Sequence, residues 1–122
     1  MKNKDLVALV TLLLLIITVC VEATLPSTTG DTLFPHFDKV AHFVVFGLIA
    51  YLCAYLLHRY DIATDKIRLA GILLFVVVLG IFVEWLQSHT PGRVATVYDL
   101  IANIIGAGIF LALWKWQVLH RK

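Results

Sequence analysis

Residues 69–114 read LAGILLFVVVLGIFVEWLQSHTPGRVATVYDLIANIIGAGIFLALW, two apolar runs separated by a polar turn. The turn contains Pro91-Gly92, a strong signal for the end of a helix. Because a helix rises about 1.5 Å per residue, roughly 20 residues cross a hydrocarbon core of about 30 Å. Leu69–Leu86 nearly reaches that length, and Leu100–Trp114 needs its flanking residues to complete a crossing. The stretch therefore predicts two antiparallel membrane helices.

The rest of the chain continues the same pattern, with further apolar runs at Leu6–Val21 and Val40–Leu57. Of the 122 residues, 61% are hydrophobic and 15% are charged, a balance typical of membrane proteins. We predict an all-α, four-helix transmembrane bundle of antiparallel hairpins that forms a single integral membrane domain over residues 1–122. The helices are expected at about residues 6–23, 38–58, 67–87 and 98–119.

The distribution of basic residues predicts the orientation of the bundle. With the amino terminus in the cytoplasm, eight lysines and arginines lie inside and only Lys39 and Arg93 lie outside. The positive-inside rule therefore predicts that both termini are cytoplasmic. The net charge of +2 comes from these topology signals, so no nucleic-acid partner is expected.

The first apolar segment has two interpretations. Lys2 and Lys4 before a long apolar core, with Val21-Glu22-Ala23 after it, also match a cleaved signal peptide. The apolar core is at the long end for a signal peptide and at the short end for a membrane helix. We expect a retained helix, partly because the other predicted segments are odd in number. Cleavage would leave three helices without changing the side of the membrane on which the polar residues described next are expected.

Polar side chains recur at one end of three consecutive predicted helices. They open the second segment, close the third and open the fourth, and Arg93 lies in the short loop between the last two. Antiparallel packing brings those ends to one side of the bilayer. We call this set the polar patch: Asp38, Lys39, His42, Glu84, Gln87, Arg93, Asp99 and Asn103.

Three members of the polar patch are candidates for acid–base catalysis: Glu84, His42 and Asp38. Asp38 and His42 are four residues apart on one helix face, so the carboxylate could fix the tautomer of the imidazole. For Asp38 alone, the preferred interpretation is a helix cap stabilised by the helix dipole. An ionisable group such as Glu84 costs roughly 2.5–3.5 kcal/mol at mid-bilayer, so it should face protein, where an ion pair with Arg93 or Lys39 is the structural alternative.

The other members are candidates for ligand binding. The Pro91-Gly92 turn should present Arg93, whose guanidinium suits phosphate and carboxylate groups. Lys39 is most simply an interfacial anchor, but it could also contact a phosphate or a carboxylate, and Gln87 shares a helix face with Glu84.

The fourth segment carries two expectations of its own. Thr96 and Asp99 resemble a capping box, and Asn103 is expected to bridge to a neighbouring helix. The small residues in Ala102-x-x-x-Gly106 and in the Gly106-Ala107-Gly108 run predict close helix packing.

The histidines and carboxylates match no familiar zinc signature, so we expect no metal and no cofactor. Cys20 and Cys53 should lie at different depths, which excludes a disulfide between neighbouring helices.

The combined motifs resemble the VanZ-like family. They are Asp38-Lys39-x-x-His42, Glu84-x-x-Gln87, Pro91-Gly92-Arg93 and Asp99-x-x-x-Asn103-x-x-Gly106, and they span about residues 37–114. The resemblance implies a small multi-pass protein of the bacterial cytoplasmic (inner) membrane. The namesake of the family is associated with low-level resistance to the glycopeptide antibiotic teicoplanin.

Four functional hypotheses follow. The first is a binding or accessory protein of the cell envelope, whose outer polar patch engages an envelope lipid, a glycopeptide or a cell-wall precursor as well as the surrounding membrane lipids. The second is a membrane-embedded enzyme that acts on a lipid-linked head group by acid–base catalysis. A small transporter is disfavoured, because the polar residues lie at one face and not at mid-membrane. The fourth is a polar network that only holds the helices together, with function in a protein partner that the sequence does not identify.

Overall fold

The described residues form four long helices. A computed structural model describes residues 2–25, 37–92 and 96–121, with Phe37 and Asp38 described by their backbone only. The helices are α1 (Asn3–Thr24), α2 (Phe37–Arg59), α3 (Asp65–Ser88) and α4 (Val97–Leu119). All four are long and apolar enough to cross a membrane. The prediction of an all-α, four-helix membrane bundle is therefore confirmed.

Local sequence explains where two of the helices begin. The Thr64 hydroxyl accepts a hydrogen bond from the Ile67 amide at the start of α3, and the Thr96 hydroxyl accepts one from the Asp99 amide at the start of α4. Each threonine thus satisfies an amide that has no partner within its helix. Between the caps the backbone groups bond within each helix, as a hydrocarbon environment requires.

The helices alternate in direction along the chain. Asp5 near the start of α1 contacts Tyr55 and Arg59 near the end of α2, so these two helices are antiparallel. α2 and α4 run in the same direction, because Tyr51 bonds Gln117 while His42 bonds Asn103. We call the end where α3 finishes and α4 begins the α3–α4 end, and the opposite end the terminal end.

The packed interior lies along α2, which contacts the other three helices. Its largest fully buried apolar side chains are Phe46 and Ile49 of α2 and Val76 and Val83 of α3. The outward faces are apolar as well, with Leu74 65% exposed on α3. Extensive exposed apolar surface on every helix suits a bundle surrounded by lipid.

Glycine permits the closest approach between α2 and α4. A side chain at Gly106 would collide with the backbone carbonyl of Phe43, and one at Gly47 would collide with the Phe110 ring. The predicted tight packing therefore holds for Gly106. It is wrong for Gly108, which is exposed, and an added Cβ there would meet no atom of the described residues within 4 Å.

α1 is fixed to the rest of the bundle at both ends. At the terminal end, the buried Asp5 carboxylate accepts hydrogen bonds from the Tyr55 and Tyr60 hydroxyls, at 3.0 and 3.1 Å, and lies 3.4 Å from Arg59 Nε. Burial and the hydrogen bond to Asp5 raise the pKa of Tyr60, which keeps its hydroxyl protonated as a donor. At the α3–α4 end, the Thr90 hydroxyl donates to the Ala23 carbonyl, 2.8 Å away.

A second basic side chain organises the turn between α2 and α3. Arg68 is buried and donates to the carbonyls of Ile62 and Ala63 and to the Asp65 carboxylate. A fourth contact joins it to His58 of α2. Arg68 therefore closes the α2–α3 hairpin in addition to contributing positive charge.

Candidate functional site

Six members of the polar patch have described side chains, and all six lie near the α3–α4 end of the bundle. α2 supplies two of them, α3 two and α4 two: Lys39, His42, Glu84, Gln87, Asp99 and Asn103. Four of the six are buried, namely His42, Gln87, Asp99 and Asn103. The side chain of Asp38 and the whole of Arg93 lie outside the described residues. The patch is thus mainly an interior feature between three helices.

His42 and Asn103 form its central contact. The His42 Nδ1 atom lies 3.0 Å from Asn103 Oδ1, and both side chains are buried. An amide oxygen only accepts hydrogen bonds, so Nδ1 must carry the proton and donate it. In the neutral imidazole, Nε2 is then the basic nitrogen. The imidazole also stacks on Phe46, with ring centroids 5.9 Å apart, so packing as well as bonding fixes its plane.

The Asn103 amide also meets α3. Its Nδ2 atom lies against Gly80, where an added side chain would come within 3.0 Å of it. Asn103 therefore joins α2 and α3 to α4, as the predicted bridge between helices requires. Nδ2 is buried and makes no hydrogen bond with the described residues. A buried donor of this kind is expensive to leave unpaired.

Glu84 contacts the beginning of α4. Its Oε2 atom accepts a hydrogen bond from the Thr96 backbone amide, 2.9 Å away. In a capping box, that amide would bond the carboxylate three residues further along, here Asp99. The predicted capping box is therefore only half correct: the Thr96 hydroxyl caps the Asp99 amide, but Glu84 of the neighbouring helix takes the place of the Asp99 carboxylate.

Asp99 is consequently directed towards Lys39. Its Oδ1 atom lies 3.6 Å from Lys39 Nζ, an ion pair between α4 and α2. The same oxygen is buried and makes no hydrogen bond with the described residues. The Lys39 side chain is 31% exposed, so the ammonium lies at the edge of the patch while the carboxylate lies inside it.

Gln87 and Thr90 complete the end of α3. Gln87 is buried one turn after Glu84. The hydroxyl of Thr90, which the sequence did not single out, lies 2.8 Å from the carbonyl oxygens of both Ala23 and Leu86, which share its one proton. A threonine directly before Pro91 and Gly92 was the available signal, because such a hydroxyl commonly bonds a carbonyl of the preceding turn.

The described contacts establish what the patch can do chemically. It combines an imidazole of defined tautomer, two carboxylates, two amides and an ammonium group within one end of the bundle. The predicted pairing of Asp38 with His42 remains a prediction, although Asn103 occupies the Nδ1 atom of the imidazole. Among the described residues, no group of three His, Cys, Asp or Glu side chains could hold a metal ion. Polar and charged recognition is therefore the chemistry that these residues offer.

Comparison with known proteins identifies the family of this chain. The sequence profile of the family described as VanZ/LLP1 matches residues 4–119, nearly the whole chain. The chain belongs to the VanZ-like family. The match extends beyond residues 37–114 and includes α1, which the structure packs against α2 and α3. No curated protein and no solved structure matches the chain.

Proposed function

We propose that this VanZ-like protein acts in the bacterial cell envelope and that its polar patch binds an envelope lipid, a glycopeptide or a cell-wall precursor, directly or as an accessory to another protein. The observation that carries the proposal is the concentration of buried polar groups at one end of the bundle. Asp99 Oδ1, which is ion-paired with Lys39 at 3.6 Å, and Asn103 Nδ2 are buried there and make no hydrogen bond with the described residues. An acceptor and a donor so placed suit the hydroxyl, amide and phosphate groups of such ligands.

A complementation experiment tests the proposal. A deletion strain carrying wild-type protein, Glu84→Gln or Glu22→Gln is grown with glycopeptide antibiotics and under envelope stress. Glu22 is the matched control, since it is an exposed glutamate of α1 near the same end of the bundle. We expect Glu84→Gln to lose complementation and Glu22→Gln to keep it, at equal amounts of protein in the membrane. Equal complementation by both variants would contradict the proposal.

The proposed site requires the α3–α4 end to face away from the cytoplasm. We infer this orientation, with both termini on the cytoplasmic side of the membrane, from the bias of basic residues described above. Single cysteines at His89 and Ala63, exposed at opposite ends of the bundle, are suited to a test in a background without native cysteines. An impermeant maleimide should label His89→Cys in intact cells and Ala63→Cys only after lysis. The reverse pattern would place the patch in the cytoplasm.

The alternative function is acid–base catalysis on a lipid-linked head group. One observation favours it: Asn103 fixes His42 with a protonated Nδ1, so that Nε2 is the basic nitrogen a general base needs. Glu84 is the second candidate for proton transfer. Incubation of purified protein with envelope lipids, followed by mass spectrometry of the products, tests this function. Turnover that disappears in His42→Ala supports it, and absence of any product across the lipid panel excludes it.

A further inference from the structure

An apolar groove lies between α2 and α4 beside the polar patch. It encloses about 740 Å³ and is lined by Val40 and Phe43 of α2 and by Tyr98, Ile101, Ala102 and Ile105 of α4. Among the described residues, Lys39 is the one charged member of its lining. The groove therefore joins a long apolar surface to one partly exposed ammonium group, which is ion-paired with Asp99.

The groove has a clear structural origin. α2 and α4 touch where Gly106 meets the backbone of Phe43. Ala102 lies one turn nearer the α3–α4 end, and its side chain is too small to fill the space between the helices there. The flanking side chains of Ile101 and Ile105 are exposed and form one wall. The groove is thus open to the surroundings of the bundle and closed below by the helix contact.

Its dimensions match part of a lipid chain. Residues 98–105 of α4 cover about 10 Å along the helix axis, roughly a third of the hydrocarbon core. Lys39 lies one helical turn before Phe43, near the amino-terminal end of α2, where the membrane surface is expected. The Lys39 ammonium has three N–H donors and is partly exposed, so it can contact a phosphate while it remains near Asp99.

We propose that this groove holds one acyl chain of an anionic phospholipid, with the lipid phosphate on Lys39. The inference rests on the proposed function only through Lys39, which belongs to both the polar patch and the groove. It specifies the ligand class as a phospholipid. Charge favours this occupant over a second copy of the chain. A two-fold interface centred on the groove would cover the two Lys39 ammonium groups and their Asp99 partners, and removing such charges from water costs free energy that a lipid phosphate at the membrane surface does not require.

The experiment uses the full chain in phosphatidylcholine nanodiscs. A small fraction of phosphatidylglycerol or phosphatidylcholine with the same photoreactive acyl chain is added, and the labelled peptides are identified by mass spectrometry. We expect phosphatidylglycerol to label the α2 and α4 residues that line the groove. Lys39→Gln should lower this labelling about fivefold, the effect of one lysine near a charged membrane surface, while Lys115→Gln at the terminal end should not.

A second pair of variants tests the groove itself. Ala102→Phe fills it, whereas Ala112→Phe places the same ring on the exposed face of α4. Groove labelling should disappear in the first variant and persist in the second. Labelling spread evenly over the four helices, equal labelling by both lipids, or crosslinks between two protein copies would each overturn the inference. A different outcome separates the two proposals. If the wild-type protein shows no groove labelling but Glu84→Gln still loses complementation, the lipid site is refuted and the proposed function stands.

Discussion

The contact between His42 and Asn103 gives the sharpest quantitative prediction for this bundle. The two atoms are 3.0 Å apart and both side chains are buried, so Asn103→Ala leaves the His42 Nδ1 proton without its acceptor. An unsatisfied buried donor costs about 1–3 kcal/mol, which is the expected loss in the free energy of unfolding. Part of that loss belongs to the hydrogen bond itself, which in membrane helices averages about 0.6 kcal/mol and reaches about 1.7 kcal/mol.

A double-mutant cycle separates the two contributions. His42→Ala, Asn103→Ala and the double variant are unfolded reversibly in mixed micelles of mild detergent and dodecyl sulfate. We expect the double variant to lose about 0.6–1.7 kcal/mol less than the sum of the single variants, because the second substitution removes a contact that is already lost.

Gln117 supplies the control for this cycle. It is also an amide of α4 that bonds a side chain of α2, but it lies fourteen residues further along, about 21 Å from Asn103. His42→Ala and Gln117→Ala should therefore be additive. A coupling energy near zero for His42 with Asn103, or an equal coupling for His42 with Gln117, would refute the assignment of this contact.

Two further predictions concern contacts between helices and use the same unfolding measurement. Gly106→Leu should lower the free energy of unfolding by about 1–3 kcal/mol, because the backbone of Phe43 cannot move aside. Gly108→Leu should have little effect, because the space around Gly108 is open. Equal effects of the two substitutions would contradict the close approach of α2 and α4. Asp5→Ala should lower the unfolding midpoint, because the carboxylate joins α1 to two tyrosine hydroxyls and an arginine. Asp61→Asn should change it much less, because it removes only an exposed charge 3.8 Å from Arg68 and keeps a residue that tolerates the positive φ of 51°. An unchanged midpoint for Asp5→Ala would mean that this cluster does not hold α1.

The four helices could be predicted from sequence because a membrane allows few alternatives. A long apolar segment must satisfy its backbone internally, so hydropathy alone identifies a helix. The ends of the helices were harder to predict from the sequence. α1 begins at Asn3, before its apolar run, because Asp5 is buried by Tyr55 and Tyr60 and the polar first turn is therefore stabilised by tertiary contacts.

The polar patch could be predicted in its membership more than in its contacts. Helix order alone placed Lys39, His42, Glu84, Asp99 and Asn103 at one end of the bundle. Which of them meet depends on the rotation of each helix about its axis, and four similarly apolar faces do not specify that rotation. For this reason the sequence did not predict the bond from Glu84 to the Thr96 amide or the resulting pairing of Asp99 with Lys39.

Direct binding of a lipid-linked cell-wall precursor to the purified protein tests the central claim most directly. Nanodiscs that contain the precursor and wild-type protein, Glu84→Gln or Glu22→Gln are compared by native mass spectrometry. We predict that wild type and Glu22→Gln retain one bound precursor and that Glu84→Gln releases it. Equal retention by all three proteins, or no retention by any of them, would contradict a precursor-binding site at the polar patch.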